Sequence, residues 1–170
     1  MPAFSYQMGD IVLVVAFLLF SPLIGLSIAF LNMIINIAIP TTPAGVYGPP
    51  YYFLAVTTML LGVFISDRLI TQRKLKAQNS GNVLGRPVVA YTGFSVFTRV
   101  LLMLPCDYFI YGFLVSLVSG LSMSASYALV LSTMPLIIVY NVTVPLIVIP
   151  ISYYITQRVA KTQIAQSLVS

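Results

Sequence analysis

Histidine is absent from the 170 residues, cysteine occurs once, and the acidic side chains number three. All three acids are aspartates, Asp10, Asp67 and Asp107, so glutamate is missing too. Without His and Glu, the usual zinc ligand sets and the His-dependent serine and cysteine triads lack their parts, and one thiol closes no disulfide within the chain. Three isolated aspartates show no paired acid/base spacing, and no Gly-rich phosphate loop ending in Lys is present. The chain is therefore not expected to be an enzyme, to hold a metal or to carry a cofactor.

Charge is scarce as well. Charged residues make up 6% of the chain, against about 25% in a soluble domain. What fills the space is apolar: 59% of residues, with a mean hydropathy of +1.03. Residues 11–66 and 108–157 carry no formal charge. At roughly 20 apolar residues per crossing, this composition predicts an all-α, integral membrane helical bundle. One domain, 1–170, leaves no room for a soluble one. The net charge of +5 comes from basic residues beside apolar runs, with no aromatic-basic platform for nucleic acid, so they read as topology signals.

Residues 1–9 contain no basic stretch and do not open like a secretory signal. The run 10–20 is short for a span, and Ser21-Pro22 follows, with Pro favoured at the first position of a new helix. A short helix over 10–20, a tight break and a span over 22–39 are expected; one bent helix is the alternative. Residues 40–50 are dense in Pro and Gly and free of Lys and Arg, which predicts an external loop. A span over 51–69 then meets Arg68, Arg73, Lys74, Lys76 and Arg86, which place 70–86 in the cytoplasm. A span over 87–106, an external extension and re-entrant loop over 107–128, and a span over 129–157 complete the chain. Arg158 and Lys161 put the C-terminus in the cytoplasm of a multi-pass cell-membrane protein.

Ionisable groups at membrane depth mark ligand paths or internal pairs. Asp10 opens the first helix, where the helix dipole alone also accounts for it. Asp107 lies among Cys106, Tyr108, Tyr111 and the loop tyrosines Tyr47, Tyr51 and Tyr52, which suits an aromatic-walled external pocket for a flat heterocycle. Arg99, Met103 and Asp107 fall at i, i+4 and i+8 on one helix face. Arg99 then pairs internally, snorkels or meets a partner subunit, a structural ion pair being the plain reading. Asn141 sits in an apolar run and needs partners from backbone or ligand. Its Asn141-Val-Thr143 sequon is expected to be coincidental. Gly112, Ser116 and Gly120 form a small-xxx-small series, which equally suits close helix approach or a flexible loop.

Taken in order, these features resemble the substrate-binding S-component of energy-coupling factor vitamin transporters, over most of residues 8–160. The resemblance rests on Gly9-Asp10-Ile11 leading to Ser21-Pro22-Leu23-Ile24-Gly25, on Ala44-Gly45-Val46-Tyr47-Gly48, on Arg99 to Met103 followed by Cys106-Asp107-Tyr108-Phe109, and on Tyr140-Asn141. It is similar most of all to the riboflavin-type branch. The resemblance implies a bundle of about six helices that binds a vitamin from outside. The bundle docks on a transmembrane T-component driven by two ATPase subunits. About five segments are legible here, so the first helix is expected either upstream of this start or missing in a five-span variant.

Asp107 stands where the branch has a ligand-contacting Asn, Asn141 matches another, and Val144 replaces an expected Lys. The expected contacts are Asp10, Tyr47, Tyr51, Asp107, Tyr108 and Asn141. Riboflavin is the first ligand expected, thiamine or another heterocycle the second. A reading from another class is a structural or assembly subunit of a larger membrane complex, with Arg99 and the Gly/Ser faces serving helix association.

Overall fold

The computed structural model describes residues 8–39, 47–76 and 86–167, and their regular structure is entirely helical. In chain order come α1 (Gly9–Leu19), α2 (Pro22–Ala38), α3 (Gly48–Lys76), α4 (Arg86–Cys106), a π-helical turn (Asp107–Tyr111), α5 (Gly112–Ser119) and α6 (Met123–Ser167). Because α4, the π-turn and α5 run on without a break, the described residues form five rods, an all-α membrane bundle. Three stretches are long and apolar enough to cross a membrane: Gly48–Ile70, Pro87–Ser119 and Met123–Thr162.

The break between α1 and α2 is built from Ser21 and Pro22. Ser21 is extended and its Oγ accepts the Ile24 amide at 3.2 Å, while Pro22 occupies the first turn of α2. A Cβ placed on Gly25 would lie 2.7 Å from the Phe17 Cβ. One continuous helix would hold those residues about 12 Å apart, so the chain folds back and the bent-helix alternative fails. Only Gly25 and Ala29 of α2 are buried. Leu23, Ile28, Leu31 and Ile35 are exposed, as a lipid-facing helix requires.

Helices α3 and α4 pack antiparallel and very close. A Cβ on Gly62 would fall 2.4 Å from the Ser95 Cα and 2.5 Å from the Thr98 Oγ1, so only glycine admits this approach. Thr98 donates to the Thr58 carbonyl at 2.9 Å, and further along the pair Tyr91 donates to Asp67 at 2.8 Å. Helix α6 keeps its course through Pro135, Pro145 and Pro150. Its Val144, Val148 and Ile149 form the core with Leu13, Val14 and Phe17 of α1 and with Val56, Met59, Leu60 and Val63 of α3. Ser152 ties it to α1 by donating to the Ile11 carbonyl at 3.2 Å.

Several expected boundaries move. The stretch 107–128 is not a loop: it is helical except around Gly120–Ser122. Its serines serve helix ends, Ser116 donating to the Leu121 carbonyl at 2.8 Å and Ser122 accepting the Ala125 amide at 3.3 Å. Gly120, at φ +69°, supplies the left-handed residue that ends α5. The small-xxx-small series thus turns the chain, and its first member, Gly112, makes room for the Tyr127 ring. Gly48-Pro49-Pro50, expected in the external loop, starts α3 instead, where missing proline N–H groups cost nothing. Residues 70–76 of the expected cytoplasmic loop prolong α3. Helix α6 begins at Met123 and passes Gln157, so it exceeds the span expected over 129–157. Residues 40–46 and 77–85 of those two loops lie outside the described residues.

Candidate functional site

At one end of the bundle, aromatic and charged side chains form a collar. Tyr91 packs against Tyr153 with ring centroids 5.9 Å apart, Gln157 donates to the Tyr153 hydroxyl at 2.7 Å, and Arg158 donates to Tyr154 at 3.0 Å. Arg68 lies over the Phe64 ring at 5.2 Å. Tyrosines and cations at this height suit a membrane–water boundary. Asp67 stands eight residues beyond Met59 on α3, about 12 Å. That is close to half of a hydrocarbon layer about 30 Å thick.

Met59 is the central residue of Gly48–Ile70, and Met103 that of Pro87–Ser119. Beside them, one turn from Met103, lies Arg99, only 2% exposed. Its Nη1 points to the Met59 sulfur at 3.8 Å and its Nε donates to the Asn141 Oδ1 at 3.1 Å. The guanidinium also lies 5.7 Å from the Tyr140 ring centroid. Asn141, near the middle of α6, uses its other end to donate to the Asp107 Oδ2 at 2.9 Å. One amide thus bridges a cation of α4 to a carboxylate of the π-turn. Asp107 and Asn141 are as buried as Arg99, at 2% and 3% exposure.

A second carboxylate completes the group. Tyr52 of α3 donates its hydroxyl to Asp10 of α1, which is buried, and both are electrostatic neighbours of Arg99. Tyr52 lies seven residues from Met59 toward the Gly48 end and Asp107 eight beyond Arg99. Because α3 and α4 are antiparallel, both displacements, about 10 to 12 Å, run the same way, away from the collar. The polar groups therefore form a column from mid-bundle toward the Gly48 end.

Pro105 and the π-turn shape the upper part of this column. Pro105 has no N–H for the carbonyl one turn back, and π-helical turns inside helices often mark functional sites. The turn keeps Asp107 buried on the face of Arg99 and Met103, and sends Tyr108 against Tyr127, ring centroids 5.2 Å apart, with Phe109 edge-on at 5.1 Å.

Of the six expected contacts, the structure gathers Asp10, Asp107 and Asn141 around Arg99. Tyr108 joins an aromatic cluster one residue along, Tyr51 is half-buried on α3, and Tyr47 is exposed at the start of α3. Asn141 of the sequon is buried inside α6, with Val142 and Thr143 half-buried. Sequence reasoning left Arg99 to a structural role and passed over Met59; Tyr52 and Tyr140 received no contact role. A lone guanidinium inside an apolar span was the available signal for Arg99. The signal for the other three is tertiary, since nothing local distinguishes Tyr52 from Tyr51. No family model, curated protein or solved structure matches the chain.

Proposed function

We propose that the chain is a non-enzymatic, multi-pass membrane binding subunit for uptake of a small water-soluble vitamin, the S-component of an energy-coupling factor type transporter. Riboflavin is the first candidate by resemblance, thiamine or another heterocycle the second. The Gly48 end faces outward, the C-terminus lies in the cytoplasm, and a T-component with two ATPase subunits supplies the energy. The observation that carries the reading is the column of buried Asp10, Arg99, Asn141 and Asp107 with half-buried Tyr52, running from mid-bundle toward the Gly48 end. Burying one cation and two carboxylates in an apolar bundle is expensive, and helix packing alone is served better by apolar side chains. Tyrosine rings and a few convergent polar groups are what a planar, donor-bearing solute needs.

Equilibrium binding of labelled vitamins to the purified, detergent-solubilised chain tests this. One vitamin binding with submicromolar Kd supports it. No such ligand among flavins, thiamine, folate, pantothenate, biotin and pyridoxine refutes it, and leaves the assembly-subunit reading, in which Asp107→Ala changes association and no uptake.

A further inference from the structure

We infer that the solute taken by this column is an organic monocation on a donor-bearing planar ring, which rests on the binding reading above and sets thiamine ahead of riboflavin. Charge balance carries the argument. Asp10, Asp107 and Arg99 are all buried, so two acidic groups stand against one guanidinium. Other charged side chains described on the packed helices lie at or beyond the collar: Asp67 with Tyr91, Arg68 on Phe64, Arg158 on Tyr154, and Lys161 past them on α6. None reaches mid-bundle. A carboxylate ionised in this apolar interior without a cationic partner is strongly disfavoured, and either a proton or a bound cation removes the deficit.

The hydrogen-bond pattern points the same way. Arg99 donates to neutral partners, the Asn141 oxygen and the Met59 sulfur, and hydrogen-bonds Tyr140 as well. Each carboxylate receives a neutral donor, Asp10 from Tyr52 and Asp107 from Asn141. Tyr52 beside Arg99, and Tyr108 tilted against Tyr127, offer π-faces, which attract cations.

The test is competition on the purified full chain at neutral pH, with labelled thiamine as the cationic probe and riboflavin (neutral), biotin and pantothenate (anionic) as competitors. The inference predicts that thiamine binds and that none of the three displaces it at 100-fold excess. Asp107→Asn and Asp10→Asn should each weaken thiamine binding at least tenfold while the protein stays monodisperse. Riboflavin or an anionic vitamin binding more tightly than thiamine overturns the inference and leaves the uptake reading standing. So does unchanged thiamine affinity in both variants, the result expected if a proton balances the charge. If no vitamin of any charge binds, the binding reading falls and the inference with it. Should a variant not fold, the competition on the unaltered chain decides alone.

Discussion

Asn141 holds Asp107 at 2.9 Å through its amide nitrogen, while its amide oxygen is engaged at 3.1 Å by Arg99. The two contacts fix which way the amide points, because a flipped Asn141 would set oxygen against carboxylate and NH2 against guanidinium. The bridge therefore ties α4, the π-turn and α6 together at mid-bundle.

Replacing Asn141 by Leu strands a buried guanidinium and a buried carboxylate together. The expected loss is about 3 kcal/mol of stability, read as a lower unfolding midpoint in detergent. Asn141→Gln, which keeps both functional groups, should recover part of it. Equal midpoints for Asn141→Leu and the unaltered chain would show that the bridge does not form.

Close approach of α3 and α4 at Gly62 gives a second expectation. Gly62→Ala forces the helices apart, since its methyl would meet the Ser95 Cα and Thr98 Oγ1, and should cost about 1 to 3 kcal/mol. Gly93→Ala, on the same helix pair with nothing within 4 Å of its Cβ, should be neutral or slightly stabilising. Paired thermal melts of the two variants decide the matter; similar midpoints would contradict the packing.

The turn between α1 and α2 is held by one cap. Ser21→Ala removes the acceptor of the Ile24 amide and should cost about 1 kcal/mol. Ser21→Asn, another good cap, should cost much less. Unfolding curves in one detergent separate these outcomes.

Orientation is open to labelling. With Cys106 replaced by Ser, Tyr47→Cys should react in intact cells with a membrane-impermeant maleimide, and Lys161→Cys only after permeabilisation. Both positions are exposed. The reverse pattern would invert the proposed topology.

The helical class and the α1/α2 break were legible because composition and the Ser21-Pro22 signal are local. So was the shared face of Arg99, Met103 and Asp107, all of which are buried. The extent of α5 and α6 was not legible: serines favour loops and helix ends alike, so the run did not show that Ser116 and Ser122 serve helix ends. Arg99 was visible as an anomaly. Its setting was not, since Met59, Asn141 and Asp10 come from three other helices and the spacing within one helix cannot show that they converge.

The most direct measurement is the unfolding midpoint of the purified chain with and without each vitamin at saturating concentration, beside the same series on Asp107→Ala. A ligand at 100 times its Kd adds about 2.7 kcal/mol to the folded state. One vitamin should therefore raise the midpoint of the unaltered chain by several degrees and leave that of Asp107→Ala unmoved. If no vitamin shifts the unaltered chain, or Asp107→Ala shifts as much, the buried column does not bind a vitamin.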